Sequence, residues 1–350
     1  MGLFILRRLG VMLLTALCLT FIVFFLTNLF PNLEKLAKTE GNFRMSDEAV
    51  ISYLTREGHM QPLPVKYGQW LGVVPGFTFE TDDGITGQCF DGALTAEQVA
   101  EQRRYCGILQ GDWGFSTRFK DEVGPIIGER LSLTGILMFW VMLLMVPSAL
   151  ILGVLAGMRE GSRTDRALST VAITTTATPE YVSGVVLIAV FASSAVGLRW
   201  FKGTATGAME NPTFENFFLP VLTIALYGMG YIARMTRASM AEVMTAQYIR
   251  TARLKGVSFP NIVMKHALRN ALIAPFTVIM LQFPWLLNGV VIVETLFNYK
   301  GFGWTLVEAA SNNDIELLLG VSVVSVFVVL ITQLISDIGY VYLNPRISVS

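Results

Sequence analysis

The chain has 350 residues, of which 53% are hydrophobic and only 15% charged, with 26 basic and 26 acidic side chains cancelling to zero net charge. Its mean hydropathy is +0.55, whereas soluble domains carry about 25% charged residues, so the composition excludes an ordinary soluble protein. A balanced charge offers no global field for nucleic acid, and three cysteines and two histidines leave little material for a metal site.

Hydropathy in windows of about 19 residues marks six candidate spans: 9–30, 133–158, 168–191, 218–234, 271–293 and 317–340. Each is near the ~20 residues that a helix needs to cross a ~30 Å hydrocarbon core. Arg7 and Arg8 precede the first span, as in a signal peptide. Its apolar run is longer than the 7–15 residues of such a segment and no small-x-small cleavage site follows, so it reads as a retained anchor. Cys18 within it reads as a small apolar residue.

Residues 31–131 form a small domain between the first two spans. Ser46 is placed to cap a helix with Asp47 and Glu48 in its first turn, and Gln61-Pro62-Leu63-Pro64 breaks that helix. The Gly-, Thr- and Asp-rich run 76–92 predicts turns and short extended pieces. Cys89 and Cys106 lie on the same side and form a disulfide pair in an oxidising compartment.

The third span carries Glu180 after Pro179, and the sixth carries Asp337. Ionised groups are costly in lipid, so both should face protein or water, in a pathway or paired with a neighbouring helix. Gly228 and Gly230 interrupt the fourth span. Pro275, Pro284 and Gly289 break up the fifth, an irregularity tolerated where backbone lines a cavity or packs on protein. Gln282, Trp285 and Asn288 are therefore pore-lining candidates, while Glu294, at the outer end, is expected to be solvated.

Between the fourth and fifth spans lies a basic segment, 235–270. Met240, Val243, Met244 and Tyr248 recur at three- and four-residue intervals, as on one apolar helix face. Gly256 interrupts the pattern and can take the left-handed backbone that ends a helix. Ser258 can cap a second helix with Pro260 in its first turn. The prediction is helix, glycine elbow, helix: a knob that projects beyond the lipid.

With the amino end inside, the inside segments hold Arg7, Arg8, Arg159, Arg163, Arg166, Arg237, Arg250, Arg253, Lys255, Lys265, Arg269 and Arg346, and the short outside loops only Arg199, Lys202 and Lys300. The positive-inside rule then places both termini, including the tail 341–350, in the cytoplasm.

Tyr248-Ile249-Arg250-Thr251-Ala252-Arg253-Leu254-Lys255-Gly256, with His266-Ala267-Leu268-Arg269-Asn270-Ala271 ten residues beyond the glycine, resembles the signature loop of binding-protein-dependent ABC importer permeases. More narrowly it is similar to the first permease subunit of the dipeptide/oligopeptide/nickel type, in which Arg250 stands where the broad family has an acidic residue. Arg7-Arg8-Leu9, Gln61-Pro62-Leu63-Pro64-Val65 before Tyr67, Gly111-Asp112-Trp113-Gly114-Phe115-Ser116 and Asn344-Pro345-Arg346 agree in order. Residues 73–109, with both external cysteines, look like an insertion.

The resemblance implies an all-α, six-span, type I importer permease: helix 1 in residues 1–30, a periplasmic domain, and a permease core over 132–340 of a bacterial inner-membrane protein. It implies coupling to an ATPase through Arg250, Thr251, Ala252, Arg253, Lys255 and Gly256. It further implies a homologous second permease, two cytoplasmic ABC ATPase subunits that hold ATP and Mg, and a periplasmic binding protein that delivers peptides or similar solutes. The chain itself contains no Gly-x-x-x-x-Gly-Lys-Ser/Thr phosphate loop. Two other classes remain. A stand-alone secondary transporter or channel calls for inverted repeats or an ion cluster, and neither is evident. A membrane enzyme or receptor calls for a nucleophile, base and orienter, and the external segment has only His59 and no such grouping.

Overall fold

The computed structural model describes residues 2–81, 84–194 and 198–343. In chain order it has helices α1 (Gly2–Thr27), α2 (Phe30–Glu40), α3 (Asp47–Arg56) and α4 (Leu63–Leu71), then strands β1 (Thr78–Thr81), β2 (Gly84–Gly87) and β3 (Phe90–Leu94). Next come α5 (Ala96–Glu101), β4 (Phe115–Ser116), β5 (Asp121–Glu122) and α6 (Val123–Gly157). They are followed by α7 (Arg163–Ala177), α8 (Glu180–Phe191), α9 (Phe214–Met244), α10 (Gln247–Leu254) and α11 (Phe259–Asn261). A π-helical turn (Ile262–Ala267), α12 (Leu268–Ala271), α13 (Ile273–Leu296), α14 (Phe302–Asn312) and α15 (Ile315–Leu343) complete the described chain.

Among the described residues four helices are long and apolar enough to cross a bilayer, within Leu6–Thr27, Val123–Gly157, Phe214–Met244 and Ile315–Gly339, and six if each of two bent pairs counts as one span. At ~1.5 Å per residue, α6 is about 52 Å long, well beyond a ~30 Å core. The third expected span is not straight: α7 and α8 meet at 107°. Pro179 supplies no N–H and forces Thr178 into extended backbone, φ −88°, ψ 121°. The fifth expected span differs too. Helical backbone runs unbroken from Ile273 to Leu296, through Pro284 and Gly289, and the 51° bend falls before it, at Leu272. Pro275 sits in the first turn of α13, where its missing N–H has no intrahelical partner to lose.

The chain divides into two compact units. The first comprises Met1–Glu129 and Thr305–Phe327. Its core joins Phe24, Leu33, Leu36, Val50, Leu54, Ile315 and Leu319, with Phe24 edge-on to Tyr67 at 5.4 Å. Ser46 caps α3 as expected, its Oγ accepting from Ala49 N at 3.4 Å. Gly72 ends α4 in the left-handed region, φ +84°. The Lys66 ammonium is buried and donates to Asn28 Oδ1 (3.1 Å) and His59 O (2.9 Å). Burial, with that cation beside it, holds His59 down at about 4.

The glycine-rich run is more ordered than its composition requires: β1, β2 and β3 form an antiparallel meander. Cys106 meets Cys89 in a disulfide spanning 17 residues. Reducing this bond is expected to destabilise the unit by about 3 kcal/mol on the chain-entropy model. A drop in thermal midpoint with dithiothreitol, absent in a Cys89→Ser/Cys106→Ser variant, measures it.

The second unit comprises Arg130–Trp304 and Val328–Ser350. Its main core runs along α9, with Leu137, Val141, Met145, Ile224, Ile232, Leu286, Val290 and Phe297 buried. The glycines that seem to interrupt the fourth span do not break α9. A Cβ at Gly230 would lie 2.5 Å from Thr175 Oγ1, and one at Gly228 would strike the Met145 sulfur. They let α7 and α6 approach the helix closely, rather than ending it. Glu294, expected to be solvated, is fully buried. It accepts from Thr134 Oγ1 and, at 2.9 Å, from Trp304 N at the start of α14.

Candidate functional site

The basic segment leaves α9 at Met244 and turns through Thr245 and Ala246, whose amides bond back to Glu242 O (3.2 Å) and Val243 O (3.0 Å). Its first arm, α10, is amphipathic. Ile249 and Ala252 pack with Met240, Met244, Ile262, Val263, Ala267 and Ala271 in a separate small core. Met240 and Met244 thus belong to the apolar face that their spacing predicts. Tyr248 does not: it is 43% exposed, and its hydroxyl accepts from Asn270 Nδ2 at 3.0 Å, tying the two arms together.

Gly256 has φ +77°. Its N–H donates to Arg253 O (3.0 Å) and that of Val257 to Ala252 O (3.2 Å). This pair of bonds is the Schellman ending of a helix, which needs a left-handed residue at the glycine position. The turn is tight and hydrogen-bonded, not loose.

The second arm starts at Ser258, which has the extended backbone of an N-cap (φ −62°, ψ 147°). Its Oγ takes a bond from Asn261 Nδ2 (3.0 Å) and none from a backbone amide. The π turn widens the helix by one residue per turn. It keeps Ile262, Val263 and Ala267 inward while Met264, Lys265 and His266 face out. Ser239 Oγ then donates to Ala271 O at 2.8 Å, fastening the return to α9.

Of the six residues expected to meet an ATPase, Arg250, Thr251, Arg253, Lys255 and Gly256 are exposed, and Ala252 points inward at 7% exposure. Arg250, Arg253, Lys255, Lys265 and Arg269 have no ion-pair partner among the described residues. The hairpin tip is therefore an open positive surface. Two apolar residues on it escaped sequence reasoning. Leu254 is 82% exposed and Met264 64%. The available signal was angular: at 100° per residue Leu254 lies about 200° from Ala252, off the apolar face.

The pathway candidates lie on three helices. Glu180 opens α8, 8% exposed, with Oε2 lacking a hydrogen-bond partner. Gln282 is buried on α13 and Asp337 half-buried on α15. The side chains of Trp285 and Asn288 lie outside the described residues, as does Asn344-Pro345-Arg346.

A family model described as "Binding-protein-dependent transport system inner membrane component" matches residues 149–349. A "probable peptide ABC transporter permease protein" of Sinorhizobium fredii, y4tP, is 30% identical over 351 residues, 99% of each chain. The oligopeptide transport system permease protein AppB of Bacillus subtilis is 33% identical over 264 residues, 73% of this chain and 82% of its own. The dipeptide transport system permease protein DppB of Haemophilus influenzae is 31% identical over 265 residues, 69% and 78%. The basic hairpin lies wholly within the matched region, and with it the chain belongs to the binding-protein-dependent transport system inner membrane components, the permease subunits of ABC importers.

Proposed function

We propose that this permease forms half of a translocation pathway for peptides or similar small solutes, and that the 247–270 hairpin is its socket piece for an ATPase. The substrate class rests on relatives whose names specify peptides, oligopeptides and dipeptides. A homologous second permease, two cytoplasmic ABC ATPase subunits holding ATP and Mg, and a periplasmic binding protein complete the assembly. The chain lies in a bacterial inner membrane with both termini and the hairpin cytoplasmic, the arrangement favoured by its arginine distribution.

One observation carries the coupling role: both arms of the hairpin pack into one core with the end of α9, and the basic side chains of its tip have no ion-pair partner among the described residues. Both arms share a single apolar core with the end of α9, so a displacement at Gly256 cannot be absorbed locally. It must move α9 and the lead into α13 as one body, the rigid-element transition typical of alternating states. Arg250, Arg253 and Lys255 steer the tip toward an acidic rim, and Leu254 seats in an apolar pocket within it. Thr251 stands on the outer face, and the small Ala252 brings α10 close to its core.

Leu254→Asp removes the apolar anchor without touching the buried face. It is expected to weaken ATPase retention by about 2 kcal/mol, some thirtyfold, as for an interface anchor residue. Co-purification with unchanged ATPase stoichiometry and ATP-driven uptake would defeat the reading.

For the pathway we propose Glu180, Gln282, Trp285, Asn288 and Asp337. Glu180 is supported best, since a buried carboxylate oxygen without a partner is expensive and it sits at the bend between α7 and α8.

The 73–109 excursion we assign to seating the binding protein. Its ends are close, with Gln110 Nε2 bonded to Gly72 O at 3.0 Å, so a short Gly-Ser linker can replace it without straining the base. That deletion is expected to lower affinity for the loaded binding protein at least tenfold in a pull-down titration. Unchanged affinity would remove the assignment.

A further inference from the structure

The groove between α7 and α9 has features that ATPase coupling does not use. It encloses about 530 Å³ and is lined by Asp165, Arg166, Ile173, Tyr231, Arg234 and Arg237, together with Met235. Arg237 is occupied. Its Nε and Nη2 hold Asp165 Oδ1 and Oδ2 at 2.9 and 2.8 Å, with Glu160 3.6 Å away. The pair cancels its own charge. Arg166 and Arg234 are both exposed, and neither has an ion-pair partner among the described residues.

The two helices run antiparallel here. Asp165 meets Arg237, while seven residues deeper Ala172 lies against Gly230. This register sets both free arginines at one end of the groove. Ile173 lies about 10 Å further along α7 from Arg166, at ~1.5 Å per residue. On α9, Tyr231 lies on the same face as Arg234, one turn deeper, and both Ile173 and Tyr231 are 52% exposed. The groove thus has a cationic mouth and an exposed apolar wall, at the point where α9 passes from apolar residues to arginine. A soluble anion would account for the mouth and not for the wall.

We propose that this groove binds an anionic phospholipid, with the phosphate between Arg166 and Arg234 and an acyl chain along Ile173, Tyr231 and Met235. Basic pockets between spans at headgroup depth attract such lipids, and arginine reaches the headgroup while its stem lies on apolar surface. The proposal needs the chain to lie in a bilayer and is independent of the hairpin's role.

The test is native mass spectrometry of the intact transporter complex in detergent, titrated with phosphatidylglycerol and, separately, phosphatidylcholine. The wild type is expected to retain phosphatidylglycerol preferentially. Arg166→Gln/Arg234→Gln is expected to lower its retention about 20-fold, near fivefold per arginine. Arg199→Gln, at an exposed arginine outside the groove, should leave it unchanged, and Met235→Ser should reduce it severalfold. Three results overturn the proposal. The first is equal retention by the double variant or of phosphatidylcholine. The second is displacement of the lipid by millimolar inorganic phosphate with no effect of Met235→Ser, which marks a plain anion site. The third is efficient cross-linking of Tyr231→Cys to the second permease, which marks a protein interface. None of these readouts depends on uptake or ATP hydrolysis, so failure of the coupling reading leaves the test intact.

Discussion

Gly256→Pro is expected to uncouple the transporter, with ATP hydrolysis persisting while uptake falls at least a hundredfold. Gly256 sits at φ +77° and donates its N–H to Arg253 O. Proline fixes φ near −65°, removes that donor, and drives the preceding residue out of the helical region. Lys255 occupies φ −79°, ψ 3°, so it would be forced out as well. A cost of ~3 kcal/mol or more leaves the docking geometry populated in under one molecule in a hundred. Gly256→Ala isolates the backbone term, because a Cβ there meets nothing within 4 Å. The left-handed penalty of ~1–2 kcal/mol predicts an intermediate loss of about five- to thirtyfold. Uptake and ATPase activity measured together in proteoliposomes should rank glycine above alanine above proline. Normal uptake with proline would show that the elbow transmits nothing. Parallel loss of both activities in alanine and proline alike would point to failed assembly instead.

What the sequence discloses and what it hides follows from the range of the interactions. The elbow is legible because its determinants lie within ten residues: an apolar period, one glycine, then Ser258 and Pro260. The Ser46 cap is legible for the same reason. The 107° bend at Thr178 is not, since a hydropathy window runs across both arms together and carries no direction. Proline 179 was visible, yet the same residue type at 284 leaves α13 helical, so the residue alone does not decide. Glu294 was misjudged because the groups that satisfy it, Thr134 and the Trp304 amide, come from other elements. The meander of β1 to β3 is hidden behind glycines and threonines that name turns without naming pairs. The family resemblance, resting on local motifs, is borne out, and the secondary-transporter reading is not favoured by it. Leu254 could have been found by angle, yet its exposure becomes meaningful only once the apolar face of α10 has a core to face.

Asp165→Leu is expected to be among the most destabilising single changes in the permease core, about 3–5 kcal/mol. The Asp165 carboxylate is 3% exposed. It accepts from Arg237 twice, from Gly161 N at 2.8 Å and from Ser169 Oγ at 3.1 Å, while Ser162 Oγ caps its own N–H at 3.1 Å. Removing it leaves the guanidinium only the exposed Glu160 carboxylate, 3.6 Å away, in a site shaped for a closer pair, and the penalty for breaking a buried pair is of the size given. Arg237 is one-third exposed at its side chain, so water relieves part of the cost and the lower end of the range is the better expectation. Replacing both partners tests the cause. Asp165→Leu/Arg237→Met leaves no stranded charge, and swaps of a whole pair for apolar groups of similar size are close to neutral. Only the lost bonds to Gly161 and Ser169 remain, about 1–2 kcal/mol together. Thermal midpoints of the detergent-purified complex should therefore fall steeply in the single variant and recover in the double. If the double variant melts as low as the single, the pair is incidental and the helix-capping bonds of Asp165 hold α7 in place on their own.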